Sequence, residues 1–577
     1  MNINDIINDD LIQDEPNLWS LKIHNEFDYS DGKASEKYLE SVLRNTTNLN
    51  SNSSELENHI KDWPSEYHLS TKRAQLFTGF NFDSSLQVLE VGSGCGAITR
   101  YLGETFSSVV SIEGSIKRAR LAKLRTADLD SVKIICAPFQ KIKFKKKFDI
   151  IFCIGVFEYS ASFVPGKNPY ESVLSYFSDI LNPNGIVVIA IENQFGLKYF
   201  NSSREDHTCR LYEGLEGYQL HYNKVKTFGK YELEKYLNKY FSSIKFYYPY
   251  PDYKLPNCIF SEQFLSSSRA GELVSQIKSR DYFGELNNLW DESLVYLELS
   301  KNGMLPFFSN SFLIVAGKNE IQGASFDQLA VLVSDKRIYK FKTHTRIFMA
   351  NGGEIKVSKK PCSGESLVNI DKLTLTESNS NWEDSSSLQT IVYKNCMSQE
   401  MNLSEMFKIC RKWVEYLNGE SEYINDVKYL DGKYIDCIWS NIYLNNNGIS
   451  IIDQEWIWKE KIKLNVLIIR SIYTFLYRIK NTKYLSSIIK LKNLKKLISI
   501  IAESMGVELY KSDFTEFIKL ESEFQSLVFG SEKKYNRLKL RWIFFNQTSF
   551  YFIRKIRKYF DRSGIFIRIK NRFTFTI

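Results

Sequence analysis

Proline is scarce in this chain, with 11 among 577 residues, whereas 43% of the residues are hydrophobic and 25% are charged. This balance excludes a wholly disordered chain and a collagen-like or mucin-like one, and at this length it predicts two or three globular domains. The nine cysteines include no C-x-x-C pair and no neighbouring histidine pattern. Neither a zinc site nor a disulfide framework is therefore expected, and a reducing cytoplasm is the predicted location.

Long apolar runs are also missing. The most hydrophobic stretch, NVLIIRSIYTFLY, is short and carries Arg470, so it is predicted to be a buried helix rather than a membrane span. The N-terminal MNINDIINDDLIQDEP is acidic and has no apolar centre, so it does not read as a secretory signal. The polar residues that follow, up to position 62, predict a loosely ordered lead-in with one helix near residues 37–43.

Positive charge is concentrated at one end of the sequence. From Lys533 onward there are thirteen Lys or Arg residues and one acid, so the rest of the chain is net −3 although the whole is +9. Within this tail, SFYFIRKIRKYFDR alternates apolar and basic residues at helical spacing, which predicts an amphipathic helix. It would meet the inner face of the cytoplasmic membrane, an acidic protein partner or the protein's own core. Nucleic acid is not expected, because the aromatic residues are not interleaved for base stacking.

The most informative segment is VLEVGSGCGAITRYLG, residues 88–103, in which an apolar strand, a turn with alternating glycines and a helix follow one another. Gly92, Gly94 and Gly96 allow positive φ and a close approach of the backbone to a ligand, while the helix N-terminus points at the same spot. The spacing is not the G-x-G-x-x-G of dinucleotide sites. Glu90 at the strand end would repel a pyrophosphate and attract an ammonium group.

Three later strands are predicted to end at the same edge of the sheet. The first, VVSIEGS, places Glu113 where a carboxylate can accept both hydroxyls of a ribose. In VKIICAPF, the small Ala137 and the aromatic Phe139 suit the wall of an adenine pocket, and FDIIFCIGVFEY ends with Gly155 to Tyr159. The series therefore predicts one cofactor pocket.

This series resembles the class I S-adenosylmethionine (SAM)-dependent methyltransferases over residues 63–318. The resemblance implies an α/β, Rossmann-like, seven-stranded domain whose cofactor is SAM. Glu90 and Gly155 would belong to the cofactor site, the three glycines would approach the methionine part, Glu113 the ribose, and Ala137 and Phe139 the adenine.

The segments GCGAITRYLGE, IGVFEYS, AIENQFGLKYF, REDHT, EGLEGY and FYYPYPDYKLP together resemble bacterial methyltransferases associated with surface-polysaccharide and O-antigen synthesis. That resemblance implies a glycan, or a nucleotide-linked or lipid-linked sugar, as the methyl acceptor. An insertion at about residues 193–305 would shape the acceptor pocket. Within it, His207 is the first choice for a base that removes the hydroxyl proton, a structural hydrogen bond being the alternative; Glu158 and Glu192, at strand ends, are further choices.

The second half of the sequence carries another pattern. Short strands, FDQLAVLVS, RIYKFKT and EIKVSKK, precede YIDCIWSNIYLNNNGISIIDQEW, in which Asp436, Asn441 and Asp453 are spaced as in a metal–phosphate site. Over residues 319–532 this resembles the α+β fold of protein and aminoglycoside kinases. By position, Asp436 would be the base-like residue, Asn441 and Asp453 the Mg²⁺ ligands, and Lys359 the phosphate-binding lysine of an Mg-ATP site.

The kinase resemblance is incomplete, because no His-Arg pair precedes Asp436 and no glycine-rich phosphate loop is present near residue 330. The predicted organisation is thus a lead-in (1–62), a methyltransferase domain (63–318), a kinase-like domain (319–532), active or degenerate, and a basic helical tail (533–577). The predicted function is methyl transfer from SAM to a sugar or glycan-linked oxygen. The alternatives are a membrane-peripheral scaffold with a pseudokinase half and a bifunctional methyltransferase and kinase that caps polysaccharide ends.

Overall fold

The computed structural model describes residues 3–8, 10–21, 30, 32–220, 225–284, 288–334, 336–398, 400–445, 448–479 and 494–545. The chain divides into two compact units. The first contains residues 1–333 and 346–349, and the second contains residues 334–345 and 350–577.

The first unit is built on a mixed sheet. Its strands are β1 (Leu11–Glu15), β2 (Leu18–Leu21), β3 (Asn81–Phe82), β4 (Gln87–Val91), β5 (Ser108–Glu113), β6 (Val132–Cys136), β7 (Phe148–Ile154), β8 (Leu181–Glu192), β9 (Ser243–Tyr250), β10 (Cys258–Ser261), β11 (Ser311–Gly317), β12 (Ala324–Ser325) and β13 (Ala330–Val333). The sheet order within the described part of this unit is β1-β2-β6-β5-β4-β7-β8-β11-β9-β10-β13, and β3 pairs with β12 separately.

The centre of this sheet is Rossmann-like. Strands β6, β5, β4, β7 and β8 are mutually parallel, and β11 runs antiparallel to both β8 and β9. Seven strands, β6-β5-β4-β7-β8-β11-β9, thus form the arrangement predicted from the sequence, while β1, β2, β10 and β13 widen the sheet beyond that prediction. The parallel strands read as unbroken apolar runs because helices cover both faces of such a sheet.

Helices of the first unit connect and cover these strands. Their bounds are Lys33–Asn45, Ser54–Glu57, Trp63–Leu69, Lys72–Gln75, Ala97–Thr105, Ile116–Arg125, Ser160–Phe163, Pro169–Ile180, Leu197–Phe200, Lys230–Leu237, Glu262–Leu265, Ala270–Val274, Glu292–Lys301 and Leu305–Phe308, with 3₁₀ turns at Ile3–Asp5, Phe139–Lys141 and Phe157–Tyr159. The crossovers of parallel strands bring the chain back to the same edge each time, so the carboxyl ends of β4 to β8 lie together.

The lead-in is more ordered than predicted. Residues 11–21 form the β1–β2 hairpin, and β2 pairs in parallel with β6 through Leu18 and Ile134. Leu18 is fully buried. Strand β2 is formed by the apolar residues LWSL, which follow the acidic stretch. The overall polar composition of the lead-in did not indicate this short strand.

The second unit combines small sheets with helices. Its strands are β15 (Ile355–Pro361), β16 (Leu367–Ile370), β17 (Leu373–Thr376), β18 (Ser378–Asn381), β19 (Glu422–Ile424), β20 (Val427–Leu430), β21 (Ile442–Asn445), β22 (Gly448–Ile451), β23 (Trp456–Trp458) and β24 (Ile462–Lys463), while β14 (Thr343–Met349) contains the division between the units. Its helices are Leu388–Met397, Leu403–Phe407, Arg411–Gly419, Leu464–Ile479, Leu494–Ser504, Lys511–Phe529 and Lys533–Phe545, with 3₁₀ turns at Tyr339–Phe341, Lys408–Cys410, Gly432–Asp436 and Trp439–Asn441.

Two predictions for the second half are tested directly by these elements. The stretch RIYKFKT was predicted to be a strand, which is wrong: a 3₁₀ turn occupies Tyr339–Phe341, where Phe341 turns into the core, and β14 begins only at Thr343. The run around Arg470 is a buried helix, Leu464–Ile479, as predicted. None of the helices within the described ranges is long and apolar enough to cross a membrane.

The described part of the basic tail belongs to the core of the second unit. Leu540 and Phe544, on the helix Lys533–Phe545, are buried, and the Phe544 ring lies 5.6 Å from that of Phe517 and 5.9 Å from that of Phe514. The predicted amphipathic segment SFYFIRKIRKYFDR, residues 549–562, lies outside the described residues.

Candidate functional site

A cavity of about 760 Å³ opens at the carboxyl ends of β4 to β7 in the first unit. Its walls include residues from each of these four strand ends and from the insertion, among them Gly92, Glu113, Ala137, Gly155 and His207. This edge is where open α/β sheets bind their ligands, and the volume lies within the usual range for small-molecule and cofactor sites.

The glycine turn forms one wall of the cavity. Gly92 and Gly94 have φ of 85° and 55°. A Cβ on Gly92 would come within 2.4 Å of Val156 Cγ2, and one on Gly94 within 2.9 Å of the Arg118 guanidinium. Any larger residue would be strained at both positions, so the turn requires glycine to keep its backbone at the cavity surface.

Gly96 has a different role from the predicted one. It is the residue before the helix Ala97–Thr105, with φ of 87°, and it does not belong to the cavity wall. A Cβ there would lie 2.7 Å from the backbone of Ala122 on the helix Ile116–Arg125. Gly96 therefore permits close packing of two helices, and its predicted contact with the methionine part is corrected accordingly.

Glu113 ends β5 and turns its carboxylate towards the glycine turn. The backbone N–H of Gly94 donates to Oε2 at 2.8 Å, and that of Ser115 donates to Oε1 at 3.0 Å. The side chain is nearly buried but still reaches the cavity surface. Each carboxylate oxygen keeps lone pairs for further donors, as a ribose diol requires.

The predicted adenine wall also lies at this cavity. Ala137 and Phe139 follow β6, and the Phe139 ring packs against Phe177 with centroids 6.1 Å apart. Gly155, with φ of 69°, ends β7, where a Cβ would meet the Tyr253 hydroxyl at 2.6 Å. The cavity next to Glu113 is therefore lined by the small residues Ala137 and Gly155 and by the Phe139 ring.

Glu90 lies at the cavity with its carboxyl group almost wholly buried. Burial raises its pKa to about 7, although the Ser111 hydroxyl, which donates at 2.5 Å, and the nearby Thr99 oppose that rise. Glu90 forms no ion pair with any residue that the structure describes, so a cationic ligand, such as the ammonium group predicted from the sequence, can compensate its charge.

At the other end of the cavity, the structure brings together the three residues predicted to handle the acceptor. His207 Nε2 lies 3.5 Å from Glu158 Oε1 and 3.5 Å from Glu192 Oε2. Glu158 follows β7 in a 3₁₀ turn, Glu192 is the last residue of β8, and His207 comes from the insertion. Glu158 and His207 line the cavity, and Glu192 lies behind them.

The insertion fixes the orientation of His207. Its Nδ1 lies 2.8 Å from Glu205 Oε1, and its own backbone N–H donates to Glu205 Oε2 at 2.8 Å. The hydroxyl of Tyr218 also donates to Glu205 at 3.1 Å. These contacts hold the ring so that Nε2 faces the other two carboxylates.

The charges around His207 bear on the role predicted for it. Burial alone would lower its pKa, but the surrounding carboxylates of Glu192, Glu205 and Glu158 raise that pKa well above its usual value. Burial raises the pKa of Glu158. At Glu205 burial acts in the same direction, but His207 outweighs it and lowers the pKa to about 2. A raised pKa favours the protonated imidazole, which donates hydrogen bonds, so Glu158 is the better placed of the cavity residues to accept a hydroxyl proton.

Sequence reasoning missed the lysines that complete this site. Lys254 Nζ forms ion pairs with Glu192 and, at 2.6 Å, with Asp206, whose other oxygen lies 2.9 Å from Lys198 Nζ. Asp252 lies 3.8 Å from Lys198 and accepts a hydrogen bond from Tyr282. The sequence signal for these residues was that Lys198 lies in AIENQFGLKYF, Asp206 in REDHT, and Asp252 and Lys254 in FYYPYPDYKLP.

The kinase-like residues lie in the second unit and are paired with one another or with arginine. Lys359 forms ion pairs with Asp453 and, at 3.3 Å, with Glu455. Asn441 Nδ2 donates to Asp436 Oδ2 at 3.1 Å, and Arg470 Nη1 lies 3.0 Å from Asp436 Oδ1. The predicted residues thus form two local pairs; whether they bind Mg-ATP stays a prediction.

Sheet order, the glycine turn and the carboxylate at the end of β5 together define the class: a Rossmann-like cofactor-binding domain of the class I methyltransferase type. A family model described as a methyltransferase domain matches residues 89–189, which contain the turn and β5 to β7. The first unit therefore contains a SAM-dependent methyltransferase domain, as the sequence predicted.

Solved structures with some similarity include other methyltransferases. The N-methyltransferase NodS from Bradyrhizobium japonicum WM9, in complex with S-adenosylhomocysteine, is 17% identical over 28% of this chain and 74% of its own, with a TM-score of 0.20. The YcgJ protein from a Bacillus species is 13% identical over 43% of this chain and 98% of its own, with a TM-score of 0.26. At these scores the assignment does not depend on them. No curated protein matches the chain.

Proposed function

We propose that the first unit transfers a methyl group from SAM to an oxygen of a sugar or of a glycan-linked group in surface-polysaccharide synthesis. The observation that carries this proposal is the continuity of one cavity from the glycine turn and Glu113 to the cluster of Glu158 and His207. A cofactor at one end and an acceptor at the other would be held side by side, and such alignment supplies much of the acceleration in a two-substrate reaction.

The residues at the acceptor end suit a hydroxyl group. SAM supplies a methyl group on a positively charged sulfur. In the transfer, the O–C bond forms as the C–S bond breaks, the electron pair stays on sulfur, and the hydroxyl proton must leave. Glu158, with Glu192 behind it, is placed to accept that proton, and His207, held by Glu205, is placed to donate a hydrogen bond to the acceptor oxygen.

Aromatic side chains at the same cavity favour a sugar over a small polar acceptor. The rings of Trp63 and Tyr282 have centroids 4.0 Å apart, and both residues line the cavity together with Tyr67. A pyranose presents an apolar C–H face and polar edges, which match aromatic faces beside carboxylates. The resemblance of the insertion to polysaccharide-associated methyltransferases supports the same class of acceptor.

The test is methyl transfer from radiolabelled SAM to a panel of acceptors. The panel contains free sugars, nucleotide sugars and lipid-linked oligosaccharides, together with a primary amine and transfer RNA as competing classes. We expect label in the sugar-containing acceptors. Label found only in the amine or the RNA would contradict the proposal.

A second candidate function concerns the second unit, and the pairing of Lys359 with Asp453 favours it. We infer Mg-ATP binding, in which Asp453 and Asn441 hold the metal and Lys359 a phosphate. Calorimetry with Mg-ATP on the full chain and on Asp453→Ala tests it. Binding that the substitution removes supports a nucleotide site, whereas absence of binding to the wild type assigns the unit a scaffold role.

The basic segment beyond residue 545 is part of the same proposal as a means of attachment. Its eight Lys and Arg residues, against one acid, suit an anionic surface. Sedimentation with anionic and with neutral lipid vesicles distinguishes a membrane surface from a protein partner: binding to the anionic vesicles alone is expected.

A further inference from the structure

We propose that Glu158, Glu192 and His207 form a binding site for a divalent first-row metal cation, with Mn²⁺ as its probe, and that this cation holds oxygen atoms of the methyl acceptor. The inference rests on the proposed function for the nature of the acceptor. Metal binding itself is measured without cofactor or acceptor, so the two can fail separately. With the ion bound, His207 Nε2 has lost its proton and Glu158 is a ligand, so the ion replaces these two residues in holding the acceptor oxygen and makes its hydroxyl proton easier to lose.

The geometry is that of a ligand set. One ligand atom from each of the three side chains lies within 4.8 Å of the other two, and both Nε2–O separations are 3.5 Å. Adjacent ligands about 2.1 Å from a metal are separated by about 3 Å, so a small inward movement places all three around one ion. Two carboxylates with one imidazole suit Mn²⁺ or Zn²⁺ better than Ca²⁺, which prefers oxygen alone.

The carboxylates are the independent sign that a ligand belongs there. The Glu158 and Glu192 side chains are 1% and 0% exposed. Neither oxygen of Glu158, nor Glu192 Oε2, accepts a well-directed hydrogen bond from any residue in the described ranges. Buried carboxylate oxygens normally have hydrogen-bond partners, and leaving them without costs several kcal/mol unless an ion completes the site.

His207 is oriented as metal-binding histidines usually are. Glu205 bonds to Nδ1 at 2.8 Å, and Nε2 faces Glu158 and Glu192. A carboxylate on the far ring nitrogen fixes the tautomer and makes the near nitrogen a better ligand.

The local charge also favours a cation. Glu158, Glu192, Glu205, Asp206 and Asp252 supply five carboxylates, against the two ammonium groups of Lys198 and Lys254. A divalent ion placed among these carboxylates would offset part of that excess.

Lys254 sets the arrangement of the ligands around the ion. Its ammonium group contacts Glu192 Oε1 and leaves Oε2 directed at His207. Glu192 would therefore bind through one oxygen. Since Glu158 and His207 line the cavity, the open coordination positions face it, where the hydroxyl or phosphate oxygens of an acceptor can enter.

The test measures Mn²⁺ binding to the chelator-treated full chain by calorimetry and by electron paramagnetic resonance. The Asp453→Ala background removes the carboxylate of the Mg²⁺ site predicted from Asn441 and Asp453 in the second unit. We expect one Mn²⁺ per chain, with nitrogen coupling in the pulsed spectrum that His207→Gln abolishes. Glu158→Gln and Glu192→Gln should weaken binding at least about 100-fold.

The matched control is Glu292→Gln, the same change at an equally buried carboxyl group that bonds to Ser279 instead. It should change Mn²⁺ affinity less than about twofold. Binding of S-adenosylhomocysteine reports that each variant is folded. The proposal is overturned if the folded Asp453→Ala chain, with its first unit unchanged, binds no Mn²⁺. It is also overturned if the Mn²⁺ that binds shows no nitrogen coupling.

Discussion

Carboxyl groups of the first and the second unit differ in whether a lysine or arginine pairs with them. In the first unit, Glu158 and Glu90 lie beside a cavity, and neither forms an ion pair with a lysine or arginine in the described ranges. In the second unit, the buried Glu455 pairs with Arg337 at 2.6 Å, and the partly exposed Asp453 and Asp436 pair with Lys359 and Arg470. A buried carboxylate paired with arginine or lysine is compensated within the fold. Glu158 instead has the His207 imidazole beside it, and Glu90 has the Ser111 hydroxyl, which indicates a function for both.

The largest expected effect comes from the cluster at the acceptor end. Glu158→Gln or Glu192→Gln should lower the rate of methyl transfer about 100-fold or more, because each removes a carboxylate that handles the acceptor hydroxyl. Affinity for S-adenosylhomocysteine should stay within about threefold of the wild type, since both substitutions leave Glu113 and its bonds to Gly94 and Ser115 unchanged. Initial rates with radiolabelled SAM, together with calorimetry, measure both.

Glu292→Gln serves as the control for that experiment, because it makes the same change at a buried carboxyl group that is hydrogen-bonded within the protein. Rates for all three variants within about threefold of the wild type would remove the acceptor role from this cluster.

The next effect concerns the cofactor. Glu113→Gln should weaken S-adenosylhomocysteine binding about 10-fold to 100-fold, because an amide has one acceptor oxygen where the carboxylate offers two charged ones to the backbone and the ribose. Asp453→Ala, in the second unit, should leave that affinity unchanged. Calorimetry on both variants decides the matter, and equal affinities would show that Glu113 does not bind the cofactor.

Removing the charge of Glu90 in the first unit and of Asp453 in the second should change the free energy of unfolding at pH 8 in opposite directions. The folded pKa of Glu90, about 7, is above the unfolded value, so the folded state holds its proton more tightly. The free energy of unfolding therefore falls as pH rises from about 4.5 through 7, and Glu90→Gln should raise it by about 1–3 kcal/mol at pH 8.

Asp453 provides the contrast to Glu90. Burial would raise its pKa, but Lys359 lowers it, so its contribution is present above the unfolded pKa near 4 and is lost only as pH falls below it. Asp453→Asn should lower stability at pH 8. Urea titrations at pH 5 and 8 measure both variants. If Glu90→Gln instead lowers the free energy of unfolding at pH 8, the ionised Glu90 does not destabilise the folded chain.

The smallest expected effect is that of Lys359→Met. It leaves Asp453 without its cation and should cost about 1 kcal/mol of stability, since the pair is partly exposed. Affinity for S-adenosylhomocysteine should be unaffected. A loss of that affinity in a folded variant would show that the two units do not keep separate functions.

The cofactor half of the site is predictable because its parts follow each other along the chain. An apolar strand, a glycine turn and an acid at the next strand end are local signals, and parallel strands deliver their carboxyl ends to one edge. Gly96 shows the limit of such reading: the pattern marks a required glycine but does not say whether a ligand or a neighbouring helix fills the space, and here it is Ala122.

The acceptor half depends on tertiary packing. Glu158 and Glu192 are visible as strand ends, but the sequence does not show that they converge with Glu205 on His207 and raise its pKa, or that Lys254, from a distant part of the insertion, pairs with Glu192. The misassigned RIYKFKT fails for a related reason, because its alternating pattern fits a strand until Phe341 is drawn into the core by a 3₁₀ turn.

The central claim is that the cofactor binds at the glycine turn, and calorimetry with S-adenosylhomocysteine tests it most directly. Gly94→Arg places a side chain at a position with φ of 55°, against Arg118, whereas Gly419→Arg makes the same change where a Cβ meets no atom within 4 Å. We predict one molecule bound per chain, with equal affinity, for the wild type and Gly419→Arg, and an affinity at least about 100-fold lower for Gly94→Arg. A folded Gly94→Arg variant that binds as tightly as the wild type would contradict the account.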